Sequence, residues 1–209
     1  MEALLFDFNG TLSDDERVQC GVYRELFAPF RLLTEEEYFA ELAGLSDAEI
    51  IERWLGAGHP AAGELLEGRT RLVGERIADG SSVKPHVREA VHRAAETARL
   101  AIVSGAARSE VEAVMRAGEI DVFEVVVTAE DVARGKPDPE GYLRALELLG
   151  VPAAEAAALE DTPPGVAAAK AAGVYCVAVL GTVSEERLQE ADEIVARVDV
   201  ALVDRLLAR

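Results

Sequence analysis

From about residue 86 to the end of the chain, short apolar runs of strand length take turns with segments of helical period. Val87 to Thr97 reads as a helix, Leu100 to Ser104 as a strand, Arg108 to Ala117 as a helix and Val122 to Thr128 as a strand. Pro139 to Leu149 and Gly165 to Ala172 are helical, and Ala156 to Glu160 between them is a strand by context more than by propensity. Val174 to Leu180 and Glu193 to Val195 supply the last strands, and Val200 to Leu207 a closing helix. Strands that are each followed by a helix can pair only in parallel, which makes a sheet covered on both faces. A further apolar run, Ala3 to Phe8, ends in the turn signal Asn9-Gly10-Thr11 and predicts a buried strand feeding a loop. From Ser13 to about Gly80 the spacing is helical throughout, broken at Gly44, Gly56-Ala57-Gly58 and Pro60, and Gly80 to Pro85 reads as a linker. The expectation is an α/β core made of residues 1–13 and 83–209, with a helical unit, 14–82, inserted after the first strand.

Charge narrows the partners. Lys and Arg total 21 against 39 Asp and Glu, a formal net charge of −18, and only Lys84, Lys136 and Lys170 are lysines. A surface this acidic is repelled by nucleic acid and by anionic lipid, so neither is expected as a partner. No apolar run approaches the ~18 residues that span a bilayer, and the opening residues lack the layout of a secretory signal, so the expected location is cytoplasmic. Cys20 and Cys176 are far apart and outside any Cys-x-x-Cys pattern, and are read as reduced thiols. Oligomeric state has no sequence signal.

In open parallel sheets, ligands bind at the carboxyl ends of the strands. Those ends carry Asp7 and Asn9 after the first strand, Ser104 and Gly105 after the second, and Glu160 and Asp161 after the fourth, with Lys136 in a loop before another helix. Carboxylate oxygens with little nitrogen or sulfur suit a hard divalent cation such as Mg²⁺, which usually works on phosphate. An ammonium and a hydroxyl would then hold the phosphoryl oxygens, leaving one carboxylate free to attack phosphorus. The expected ligand is therefore a small phosphorylated metabolite.

The motifs at these positions are Asp7-Phe8-Asn9-Gly10-Thr11, Ser104-Gly105, Gly135-Lys136-Pro137-Asp138-Pro139 and Leu159-Glu160-Asp161-Thr162 followed by Gly165. In this order they resemble the haloacid dehalogenase superfamily of hydrolases over the whole chain. The helical insertion is similar to the small cap of its phosphoglycolate phosphatase and β-phosphoglucomutase-like branch. The resemblance implies a Rossmann-like three-layer core and the hydrolysis of phosphomonoesters through an aspartyl phosphate. It implies Asp7 as nucleophile and Mg²⁺ ligand, the Asn9 main-chain carbonyl as a second ligand, and Asp161, supported by Glu160, completing the metal site. Ser104 and the Gly105 N–H would bind phosphoryl oxygens, Lys136 would neutralise the phosphoryl group and Asp7, and Thr11 would support the loop near the substrate.

The chain departs from that pattern at Asn9, where the family's phosphatases have the Asp that protonates the leaving group and later activates water. An amide can do neither, so a phosphatase weakened in general acid–base help is expected, with Asp14, Asp15 and Glu16 the nearby acids that could substitute. The other class of reading is a catalytically impaired member that senses a phosphorylated ligand or a partner. Phosphonoacetaldehyde hydrolases need a cap lysine, and residues 13–80 contain none. Dehalogenases work without metal, against the retained Glu160-Asp161. The loop Leu42-Ala43-Gly44-Leu45-Ser46-Asp47 resembles the substrate loop of β-phosphoglucomutases, which makes Ser46 and Asp47 candidate substrate contacts. An acidic Asp47, where those enzymes have an arginine, argues against a mutase. Arg53, Arg69, Arg71 and Arg76 are expected on solvated helix faces, as is Lys170; Lys84 is read as linker, and His59, His86 and His92 as surface or turn residues.

Overall fold

A computed structural model describes all 209 residues. Six parallel strands form one sheet: β1 (Ala3–Phe6), β2 (Arg99–Val103), β3 (Val125–Val127), β4 (Ala156–Glu160), β5 (Tyr175–Val179) and β6 (Glu193–Val195). Their spatial order is β3-β2-β1-β4-β5-β6. The order reverses around β1, which pairs with β2 on one side and with β4 on the other, Phe6 lying level with Ile102 and Leu159. A crevice opens at such a reversal, beyond the carboxyl ends of the strands.

Alternation along each strand sorts side chains to the two faces. Leu4, Phe6, Leu100, Ile102, Ala157, Leu159 and Val177 pack on one side with α5 (Pro85–Ala95), α6 (Arg108–Ala117) and α9 (Val200–Leu207). Ala3, Leu5, Ala101, Val103, Ala156, Ala158 and Cys176 face α7 (Glu140–Leu149) and α8 (Pro163–Ala171). This is the three-layer arrangement expected of the sequence. The alanines of β4 explain its weak propensity. All five of its residues are buried between β1 and β5, so burial on both faces holds a strand whose residues favour helix.

Three strands are shorter than the sequence suggests; β5 keeps Tyr175–Val179 of the run Val174 to Leu180. The run Val122 to Thr128 pairs only at Val125–Val127, because β3 lies at the sheet edge and has a single neighbour; Phe123 instead packs edge-on against Phe6, with ring centroids 5.8 Å apart. The first strand stops at Phe6. Asp7 N–H still bonds to Leu159 O at 2.9 Å, but the Phe8 carbonyl then accepts from Thr11, Leu12 and Ser13 and closes a turn.

Between β1 and β2 the chain forms α1 (Glu16–Phe27), a short α2 (Glu35–Glu37) running into a π-helical turn (Tyr38–Leu42), α3 (Asp47–Leu55) and α4 (Ala62–Ile77). Tyr23, Phe27, Tyr38, Leu42, Ile50, Ile51, Trp54 and Leu65 build an apolar cluster within these helices. Val22, Val73 and Ile77 join the cluster on the α5 side of the sheet, so α1 and α4 also lean on the core. The two crossings to the sheet are tied together where Asp14 N–H bonds Ser82 O at 2.9 Å. No helix is long and apolar enough to cross a membrane.

Candidate active site

The ends of β1 and β4 deliver Asp7, Glu160 and Asp161 to one place, although about 150 residues separate them in sequence. Their carboxylate oxygens lie within 4.8 Å of one another, and all three residues are buried. Close approach of the backbone makes this possible. Gly10, at φ +81°, passes so near Asp161 that a Cβ there would fall 1.8 Å from Asp161 Oδ2. Gly165, in the first turn of α8, leaves the space that Glu160 fills, since its Cβ would lie 1.8 Å from Glu160 Oε2.

Lys136 enters from the loop before α7 and is ion-paired with Asp7 and, at 2.6 Å, with Glu160 Oε1. Burial alone would depress the ammonium, but the charges of Asp7 and Glu160 outweigh it and hold Lys136 above its ordinary range, fully protonated. Glu160 also accepts from Tyr142 Oη at 2.6 Å, and burial pushes its carboxyl up to about 7 against the pull of Lys136. Asp161 accepts from Thr182 and, at 3.5 Å, from Thr11, and is raised well above the usual carboxylate range by burial and then by the charges of Asp7 and Glu160.

A divalent cation fits this donor set. It is all oxygen, as a hard cation prefers. Glu160 Oε2 is buried without a hydrogen-bond partner, Asp161 stays well above the usual carboxylate range despite its hydrogen bonds, and the Asn9 carbonyl accepts none of the backbone hydrogen bonds of its loop.

Ser104, at the end of β2, and Gly105 line the same cavity. Ser104 Oγ accepts from Ala106 N–H at 3.0 Å, which leaves its proton free to donate, and the Gly105 N–H has no partner in the protein. Thr11, expected to support the loop near the substrate, is not among the cavity-lining residues and so is no substrate contact; its hydroxyl is turned to Asp161, which braces the loop. Ser46 and Asp47 do line the cavity, from the cap side. Ser46 caps α3 in a reciprocal box with Glu49, and Asp47 Oδ1 accepts from Tyr23 Oη at 2.6 Å. Lys84 is 3.3 Å from Asp14, and Lys170 pairs with Asp192, both outside this cavity.

Asn9 has an unforeseen setting. Its amide nitrogen donates to Asp15 Oδ2 at 2.6 Å and to Glu110 Oε1 at 3.3 Å. Asp15 is fully buried, and burial pushes it up to about 7. Of the nearby acids, Asp14 is exposed, Asp15 holds Asn9, and Glu16 lines the cavity.

Arg69 overturns the expectation of a solvated face. It is 3% exposed, with Nη1 2.6 Å from Glu110 Oε2, Nη2 donating to Gln19 Oε1 at 2.7 Å, and Nε 3.3 Å from Asp47. The helical period places Arg69 on the same face as Leu65 and Val73, a signal that it points inward; nothing in the sequence names Glu110 as its partner. Arg53, Arg71 and Arg76 are exposed as expected.

Comparison with known proteins gives consistent relatives. Residues 4–179 match the family described as haloacid dehalogenase-like hydrolase. Protein CbbY of Rhodobacter capsulatus is 36% identical over 85% of this chain and 84% of its own. Hexitol phosphatase A of Escherichia coli (strain K12) is 32% identical over 91% and 88%. A crystal structure of a CbbY variant from Rhodobacter sphaeroides in complex with xylulose 1,5-bisphosphate superposes with a TM-score of 0.82, at 30% identity, covering 95% of each chain.

Proposed function

The chain belongs to the haloacid dehalogenase-like hydrolases, and from that premise we propose that it is a Mg²⁺-dependent phosphatase of small phosphorylated carbohydrates. The observation that carries this reading is the pairing of Asp7 with a protonated Lys136 beside two further buried carboxylates in an open cavity of about 460 Å³. The relatives, a hexitol phosphatase and a protein crystallised with a pentulose bisphosphate, support a phosphorylated carbohydrate as the substrate class.

Asp7, Asp161 and the Asn9 carbonyl, with Glu160 behind them, are the residues that would hold the metal. Bound there, Mg²⁺ supplies positive charge against which an anionic phosphoryl group can approach three carboxylates. Lys136 places a second positive charge on the same side, and the Ser104 hydroxyl and Gly105 N–H are the donors for the remaining phosphoryl oxygens.

One Asp7 oxygen attacks phosphorus; a bond from Asp7 to phosphorus forms and the ester bond to the leaving oxygen breaks. Water then attacks the same phosphorus, the Asp7–phosphorus bond breaks, and inorganic phosphate is released. Lys136 neutralises Asp7 whenever its carboxylate is free. Asn9 cannot move a proton in either half. Both of its amide hydrogens are held by Asp15 and Glu110, so it offers the cavity an acceptor oxygen that can orient water. The leaving alkoxide therefore takes its proton from solvent or from Glu16, which lines the cavity, and esters with poor leaving groups react slowly.

Phosphate release from 4-nitrophenyl phosphate and from hexose phosphates, with and without Mg²⁺, tests this reading. Metal-dependent turnover that Asp7→Asn reduces by roughly 10⁴-fold or more supports it. Turnover that survives Asp7→Asn refutes Asp7 as nucleophile, and ligand binding without turnover of any ester refutes the phosphatase.

A further inference from the structure

The cavity over Asp7 has two chemically different ends. At one stand Lys136 and Ser104; at the other the cap contributes Glu16, Gln19, Tyr38, Asp47 and Arg69. Arg69 is the only cation of the cap end, and it is already engaged. Two acids, Glu110 and Asp47, share its charge, Gln19 takes a further donor, and 3% of its surface is exposed. The other arginine of the lining, Arg134, lies on the Lys136 loop, is paired with Asp138 at 2.7 Å and is largely solvated. The cap end therefore has no free positive charge.

It has free acceptors instead. Glu16 Oε1 accepts from Tyr38 Oη at 2.8 Å, and Glu16 Oε2 has no hydrogen-bond partner. Asp47 Oδ1 accepts from Tyr23 Oη and lies 3.3 Å from Arg69 Nε, which makes no hydrogen bond, and Asp47 Oδ2 likewise has no hydrogen-bond partner. The two tyrosines, both 1% exposed or less, fix the carboxylates in place. Hydroxyl groups donate well to such oxygens, in bonds strengthened by the charge. A second phosphate would meet Glu16 and Asp47 as a like charge that Arg69, shared with Glu110, balances only in part, and such a juxtaposition is unfavourable.

We propose that this cavity selects phosphomonoesters with an uncharged polyol leaving group, whose distal hydroxyls donate to Glu16 and Asp47, and rejects sugar bisphosphates. The inference rests on the phosphatase reading above and adds its specificity. The cavity, about 460 Å³, lies within the range for small-molecule sites, roughly 300–1,000 Å³.

The test compares kcat/KM, in the presence of Mg²⁺, for fructose 6-phosphate and fructose 1,6-bisphosphate, with 4-nitrophenyl phosphate as a substrate that has no distal hydroxyls. The wild-type protein is expected to favour the monophosphate by about 10²-fold, the equivalent of the like-charge cost. Asp47→Asn keeps the shape, removes the negative charge and leaves Arg69 less compensated, so it should lower that preference at least ~10-fold, by improving KM for the bisphosphate. Glu16→Gln is a second, equally isosteric variant and should move the preference the same way. A wild-type preference of one or less, or a preference unmoved by both variants, overturns the proposal. If 4-nitrophenyl phosphate is hydrolysed in that case, the phosphatase reading stands and only the specificity falls; hydrolysis of none of the three overturns both.

Discussion

Replacing Asn9 by Asp adds the carboxyl that could carry protons for the leaving group and water, yet the structure predicts that this change alone is a poor repair. The Asn9 amide donates to Asp15 at 2.6 Å and to Glu110 at 3.3 Å. A carboxylate there would face two others, and only Arg69, already shared with Asp47, offsets Glu110. Asp15, pushed up to about 7 by burial, can keep its proton at pH 6 and donate it to the introduced carboxylate; Glu110 is raised by burial too, but its ion pair with Arg69 favours the charged form. Losing one charge-assisted hydrogen bond costs about 1.5–3 kcal/mol. In a domain of this size each kcal/mol moves Tm by about 2–4 °C, so Asn9→Asp should lower Tm by about 3–12 °C, more at pH 8 than at pH 6. Held by Asp15, the introduced carboxylate should add little to the rate. Adding Asp15→Asn to Asn9→Asp places an amide donor where the acid was and frees the new carboxyl for proton transfer. General acid–base help is worth roughly 10²–10⁴-fold, and kcat for a hexose phosphate should rise by that order in the double variant. The gain for 4-nitrophenyl phosphate, whose leaving group needs no proton, should be much smaller. Stopped assays of phosphate release at pH 6 and pH 8 measure both. A folded double variant no faster than wild type on the hexose phosphate would refute the assignment of Asn9 as the missing acid and base.

Four further outcomes concern the buried charges and the metal they would hold. Asp15 binds its proton more tightly in the folded chain than the ordinary value near 3.8 allows, so its contribution to stability is complete below about pH 4 and is lost as pH rises toward 7; Asp15→Asn should flatten that decline in a Tm-versus-pH series. Saturating Mg²⁺ at about 100 times its Kd should stabilise the protein by roughly 2.7 kcal/mol, a Tm rise of about 5–10 °C. Asp161→Asn should raise the metal-free Tm, by relieving repulsion with Asp7 and Glu160, and abolish most of the Mg²⁺ shift seen by differential scanning fluorimetry. Arg69→Met leaves Glu110 buried without its cation and should cost about 3–5 kcal/mol in urea unfolding; an unchanged midpoint would mean that the pair contributes nothing.

Much of this architecture is legible in one sequence because its signals are local. Arg108–Ala117, Ala156–Glu160, Glu193–Val195 and Val200–Leu207 have the observed bounds that their apolar spacing and turn residues indicate. Val122 to Thr128 misleads, because a β-branched run looks the same whether one neighbour or two is available to pair with it, and β3 has one. The motif residues Asp7, Ser104, Glu160 and Asp161 could be selected as strand-end groups, and Lys136 as a loop lysine before a helix, before any contact was known. Thr11 is legible as a support of its loop, but not its partner, since nothing in the sequence says that its hydroxyl meets Asp161.

The partners of Asn9 and Arg69 belong to the other category. The sequence by itself determines that a parallel sheet forms, that its strand ends carry carboxylates and a hydroxyl, that a neighbouring loop carries a lysine, and that position 9 holds an amide. Only the tertiary structure decides that β1 lies between β2 and β4, so that Asp7 and Asp161 meet, and that α4 packs by α6, so that Arg69 reaches Glu110 and Glu110 reaches Asn9. Periodicity follows from backbone geometry and is written every two or four residues. Which charges meet depends on how faces far apart in the chain are packed, and burial then makes those meetings energetically decisive by removing the water that would otherwise screen them.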